Sequence, residues 1–204
     1  MTDFTSWDIA STGLLTIDLQ NDFLHPQGAY GRAGQRSENI AALPARIAPV
    51  ASALRKRGGH YVSAQFTLVP QPNGEPMIAP HLKALRPFLG KGDFAPGSFG
   101  HSLVDTLAPA DYTIEKVAYS AFFQTRLEYI MQATGIQHLL VGGIVTNGGV
   151  ASTLRDAHLR NVDTLMLTDG CAAFDNAVHD ATLLSLATVT QQKCCSDVLD
   201  WLAT

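Results

Sequence analysis

Five short apolar runs, separated by stretches with helical spacing, constrain this chain more than any other feature. They read "GLLTIDLQ" (13–20), "HYVSAQFT" (60–67), "DYTIEKV" (111–117), "QHLLVGGIV" (137–145) and "VDTLMLTDG" (162–170). Each is short, apolar and closed by a polar or turn residue, as a strand covered on both faces requires. Between the first two, "SENIAALPARIAPVASALRKRGG" carries Ile40, Leu43, Ile47, Val50 and Leu54 at helical spacing. That predicts a helix which Pro44 and Pro49 should bend or delay. "FQTRLEYIMQAT", "GGVASTLRDAHLR" and "NAVHDATLLSLATVT" supply further helices, and a last strand around Lys193 to Cys195 precedes a short helix to Trp201. Strand alternating with helix predicts one α/β domain over residues 1–204. It is a three-layer, Rossmann-like, doubly wound sheet, mainly parallel, of about six strands with helices on both faces.

Composition narrows the function. The 204 residues are 46% hydrophobic and 16% charged, enough for a large core. A net charge of −4 without a Lys/Arg run argues against nucleic acid as a partner. No apolar run reaches the roughly 18 residues of a membrane span. "MTDFTSWDIAST" lacks the basic and apolar regions of a signal peptide, so a cytoplasmic location is expected. Cys171 and the adjacent Cys194 and Cys195 form no disulfide framework or zinc motif, and the histidines show no ligand spacing. Neither metal nor cofactor is expected. The segment Leu68–Gly100 is rich in Pro and Gly, with at most a short helix near Ala79 to Leu85. Such a length of irregular chain is usually a functional loop.

In a doubly wound sheet, ligands sit at the carboxyl ends of the strands. That rule selects Asp18, Gln65, Lys116, the turn Thr146–Asn147–Gly148–Gly149, and Asp169. Asp18 and Lys116 at the mouth of core strands would hold each other charged if brought together. The pair reads equally as a structural ion pair or as a catalytic one. Asp169 reads as a turn or capping carboxylate, and Gln65 could simply bond neighbouring backbone. The glycine turn could present backbone amides to an anion, or be a tight strand–helix corner.

The stretches "LLTIDLQNDFLHPQG", "EKVAYSAFFQTRLEYIMQATGIQHLLVGGIVTN" and "STLRDAHLRNVDTLMLTDGCAAF" together resemble the isochorismatase-like hydrolases from about Gly13 to Phe174. In most of that family the resemblance implies an Asp–Lys–Cys triad acting on amides such as nicotinamide, carbamoyl or ureido compounds. Asp18 and Lys116 match two members, and the cysteine falls at Gly149. Isochorismatases proper also carry glycine there and cleave an enol ether without a covalent intermediate. The chemistry needs a positioned acid that protonates carbon, not a nucleophile.

The resemblance therefore implies Asp18 as proton donor, Lys116 as an anion-binding partner and Gly149 as space for substrate. Phe23, Gln65, Tyr119, Phe122, Val145, Thr146, Asn147 and Gly148 would surround a small, anionic substrate. Val145 and Asn147 replace the tyrosine and histidine of that branch, and its arginine-bearing loop is not reproduced. Arg86 or Lys83 could substitute if the loop folds inward. An enol ether hydrolase is the leading expectation. The alternatives are an amide or ureide hydrolase that has lost its thiol, and a binding protein of the same fold. The resemblance also implies a homo-oligomer, a dimer or tetramer.

Overall fold

The computed structural model of the chain describes residues 3–204. Six strands form one sheet: β1 (Thr12–Ile17), β2 (His60–Phe66), β3 (Tyr112–Lys116), β4 (His138–Ile144), β5 (Asp163–Ala172) and β6 (Gln191–Lys193). Their order is β3-β2-β1-β4-β5-β6, and every neighbouring pair is parallel. The order reverses direction between β1 and β4, so a crevice opens at their carboxyl ends. All six residues of β1 are buried, as expected of a central strand covered on both faces.

Helix α3 (Glu38–Lys56) follows two short helices, α1 (Asn21–Leu24) and α2 (Ala29–Arg32), which the apolar periodicity did not reveal. It starts directly after Ser37, whose side chain accepts from the Ile40 amide, and runs through both prolines. The prolines therefore do not delay it. Each costs about 3 kcal/mol in a helix interior. Burial of Ile40, Leu43, Ile47, Val50 and Leu54 outweighs this, since each such side chain stabilises by about 1.5–3 kcal/mol. This helix and α8 (Cys195–Ala203) cover one face of the sheet with Trp7 and Trp201. Residues of α5 (Leu127–Thr134), α6 (Ala151–Leu159) and α7 (Asn176–Leu186) cover the other.

Three boundaries differ from the sequence reading, each for a local reason. α5 begins at Leu127 rather than Phe123, because the Thr125 hydroxyl donates to the Ala121 carbonyl and accepts from the Leu127 amide. The last strand ends at Lys193, because Cys194 caps α8 and Asp197 accepts from the Cys194 amide at 3.0 Å. β5 extends past Gly170 to Ala172, with a bulge against Val141 and Gly143. Gly143 has φ 122°, and a β-carbon there would lie 2.2 Å from the Ile17 carbonyl oxygen. Only glycine allows β4 to approach β1 so closely at the end that matters.

The long segment after β2 contains one short helix, α4 (Pro80–Leu85), and is tied down by the residues that follow β1. The Gln20 amide donates to the Phe66 and His101 carbonyls, at 3.0 and 2.9 Å. The buried Asp22 carboxylate accepts from the Ala29 and Phe94 amides, at 2.8 and 2.6 Å. These bonds fold the segment back over the carboxyl ends of β1, β2 and β3, where Tyr30, Leu68, Leu89 and Phe94 make a small separate core.

Candidate active site

Lys116 is the last residue of β3 and Asp18 the first after β1. The Lys116 ammonium donates to Asp18 Oδ2 at 2.8 Å and to the Ala118 carbonyl at 3.1 Å. Both residues are buried, 1% and 6% exposed. Asp18 has φ 59°, a left-handed conformation that carboxylate residues tolerate better than most. Its Oδ1 is buried without a partner. Burial pushes the Asp18 carboxyl above its ordinary value, more strongly than Lys116 draws it down.

A glycine turn faces the pair. Thr146–Val150 forms a π-helical turn that leads into α6. A β-carbon on Gly149 would lie 3.3 Å from Asp18 Oδ2, 2.9 Å from Ile17 Cγ2 and 3.0 Å from the Ile144 carbonyl oxygen. Position 149 thus looks straight at the carboxylate, and its surroundings are fitted to hydrogen. Thr153, which the sequence reading passed over, fixes this turn. Its hydroxyl donates to the Gly149 carbonyl at 2.7 Å and accepts from the Ala121 amide at 3.0 Å. The turn is a poorer anion cradle than its sequence suggests. The amides of Gly148 and Val150 both donate to the Val145 carbonyl, at 2.9 and 3.3 Å.

A cavity of about 480 Å³ opens above these groups. Asp18, Phe23, Lys116, Tyr119, Val145 and Gly149 line it, so six of the expected site residues meet there. Five do not. Gln65 is turned away by the strand pleat, which sends its neighbour Phe66 and the paired Lys116 to the cavity side. Phe122 packs in the core beneath the sheet, with the Arg160 guanidinium 5.0 Å from its ring centroid. The Thr146 hydroxyl bonds His179 Nδ1 at 2.8 Å, on another side of the turn. Asn147 is exposed, and Gly148 lies behind Val145, whose Cγ2 would meet a β-carbon at 2.9 Å. Asp169 sits in β5 rather than at its end, and accepts from the Cys195 amide at 2.7 Å. Cys171 and Cys195 are buried with thiols pushed up by burial. Neither lines the cavity.

The long loop does fold inward, and it brings Arg86 but not Lys83. The Arg86 guanidinium lines the cavity, its Nε donates to the Tyr30 hydroxyl at 2.5 Å, and its Nη1 is buried without a partner. Burial would lower the Arg86 pKa, but Tyr30 and Tyr119 beside it more than offset that. Lys83 instead donates to the Leu89 carbonyl. Tyr30 and Phe66 are lining residues with no sequence signal of their own; only the fold of the loop selects them. Among the described residues no group of three or more His, Cys, Asp or Glu is arranged to hold a metal ion, and no helix is long and apolar enough to cross a membrane.

Residues 12–201 match the isochorismatase domain family model. The chain is 33% identical over 195 residues to the ureidoacrylate amidohydrolase RutB of Methylobacterium radiotolerans, covering 89% of this chain and 75% of that one. It is 31% identical over 175 residues to the enzyme of the same name from Methylorubrum extorquens (strain ATCC 14718 / DSM 1338 / JCM 2805 / NCIMB 9133 / AM1), covering 80% and 71%. Its fold matches the crystal structure of a cysteine hydrolase from Pseudomonas syringae pv. phaseolicola 1448A with a TM-score of 0.83 at 20% identity, over 97% of this chain and 94% of that one. The chain belongs to the isochorismatase-like hydrolase family.

Proposed function

We propose that the protein hydrolyses a small, carboxylate-bearing amide or ureide without a covalent intermediate, using Asp18 for proton transfer. The carrying observation is the Asp18–Lys116 pair facing a glycine at 2.8 Å and 3.3 Å, the first distance to Lys116 Nζ and the second to the β-carbon site of Gly149. The relatives named as ureidoacrylate amidohydrolases support the bond class and shift the weight away from isochorismate, the leading expectation of the sequence. Water in front of Gly149 gives a proton to the Asp18 carboxylate while its oxygen adds to the substrate carbonyl carbon. As the tetrahedral adduct collapses, the same proton passes to the leaving nitrogen and the C–N bond breaks. A carboxylate whose pKa is raised by burial is a better base for this step than an exposed one. The Arg86 guanidinium in the cavity wall supports a carboxylate on the substrate, which an arginine holds through charge-assisted hydrogen bonds.

One observation favours a second reading. A raised Asp18 with an unpartnered Oδ1 is also a suitable acid, and acid protonation of the CH2 carbon is what enol ether hydrolysis needs. The two readings slope in opposite directions with pH. A base requires ionised Asp18, so kcat/KM rises as pH rises through its folded pKa. An acid requires the proton, so kcat/KM falls. Ammonia release from ureido acids and pyruvate release from isochorismate, each with Asp18→Asn as control, would decide. Activity that survives unchanged in Asp18→Asn would end both readings.

A further inference from the structure

The cavity is larger and more apolar than a bare ureido acid requires. Its charged groups, Asp18, Lys116 and Arg86, account for the polar end of a substrate. Much of the remaining wall comes from the loop, with Leu68, Val69, Met77, Ile78 and Leu82 lining the same space beside His81. Met77 and Val69 are 58% and 38% exposed although they line the cavity, so large apolar side chains stand uncovered in the same space as the charged groups. A volume of about 480 Å³ lies in the range of roughly 300–1,000 Å³ that encloses ligands of drug size. Apolar surface left open in a concave site gains free energy when an apolar group covers it.

We infer that this loop-borne wall is a specificity subsite for an apolar substituent, so that the substrate is a carboxylate with a hydrocarbon or aromatic body rather than a minimal ureido acid. The inference rests on the reading that Arg86 receives the anionic part. The ordering of the wall also explains why the residues after β1 secure the segment so heavily. Asp22 holds Phe94, and Gln20 holds Phe66 and His101, at both ends of the stretch that carries the wall.

The test uses carboxylates that cannot react. Titration calorimetry of the full chain would compare propionate with 3-phenylpropionate. The expected result is binding of the phenyl compound tighter by about tenfold or more, as burial of a ring implies. Leu82→Asn and Ile78→Asn should each narrow that ratio to below about threefold, in proteins whose thermal unfolding shows them folded. Equal affinity for the two compounds, no binding of either, or a ratio that persists in both variants would overturn the inference. Failure of the underlying reading looks different. If Arg86→Gln leaves both affinities unchanged, the anion is not held there. If no ureido acid is hydrolysed while 3-phenylpropionate still binds selectively, the reaction is wrong and the subsite stands.

Discussion

The Lys116 ammonium bonds one oxygen of Asp18 at 2.8 Å and leaves the other buried and unpartnered. A purely structural ion pair would satisfy both oxygens, because an unmet buried acceptor costs about 1–3 kcal/mol. Asp18, with its left-handed backbone, and Gly149 both line the one cavity.

Asp18 should make stability depend on pH in the opposite sense to a surface-paired carboxylate. Its folded pKa lies above its ordinary 3.8, so the stability it contributes is fully present below that value and is lost as pH rises through the folded pKa. Asn cannot ionise. The stability of Asp18→Asn relative to wild type should therefore climb between about pH 4 and the folded pKa of Asp18, by about 1.4 kcal/mol for each tenfold weakening of the acid. Thermal unfolding at a series of pH values reads this directly, and a flat difference would refute it.

Gly149→Ala should destabilise the protein as well as inactivate it. The new β-carbon would sit 2.9 Å from Ile17 Cγ2 and 3.0 Å from the Ile144 carbonyl oxygen, and Ile17 is fully buried. Overpacking of this kind costs about 1–3 kcal/mol. In a chain of this size that lowers the melting temperature by roughly 2–12 °C. A variant as stable as wild type would show that the strand ends can yield.

Arg86→Gln should act on binding rather than on chemistry. Loss of hydrogen bonds to a charged group, about 1.5–3 kcal/mol, predicts a KM for a carboxylate substrate raised roughly 10- to 100-fold with little change in kcat. Arg86→Lys should not restore it, since a lysine cannot both bond the Tyr30 hydroxyl as Nε does and offer a second planar donor. Steady-state kinetics on any hydrolysed carboxylate would check this.

Asp22→Ala should loosen the loop before it unfolds the sheet. Removing the carboxylate strands the buried amides of Ala29 and Phe94, at a cost of roughly 2–5 kcal/mol. The expected outcome is faster limited proteolysis within residues 68–100 while the sheet remains folded. Cleavage at the wild-type rate would mean that the aromatic cluster around Phe94 holds the segment unaided.

The apolar runs determined the sheet, the helices on its faces and the positions of Asp18, Lys116 and Gly149 at strand ends, because a buried strand must be apolar and must hand its polar residues to the end where the chain leaves the core. They could not determine which side of a strand end faces the ligand. Gln65 looked as good as Phe66 until the pleat was known, and Phe122 as good as Tyr119 until the turn before α5 was placed. Nor could they determine the sense of the Asp18 pKa, because Lys116 was legible as a neighbour while the depth of burial was not. Arg86, Tyr30 and the apolar wall belong to the tertiary structure entirely. An irregular segment has no period to read, and its path is decided by hydrogen bonds from Gln20 and Asp22 across long stretches of chain.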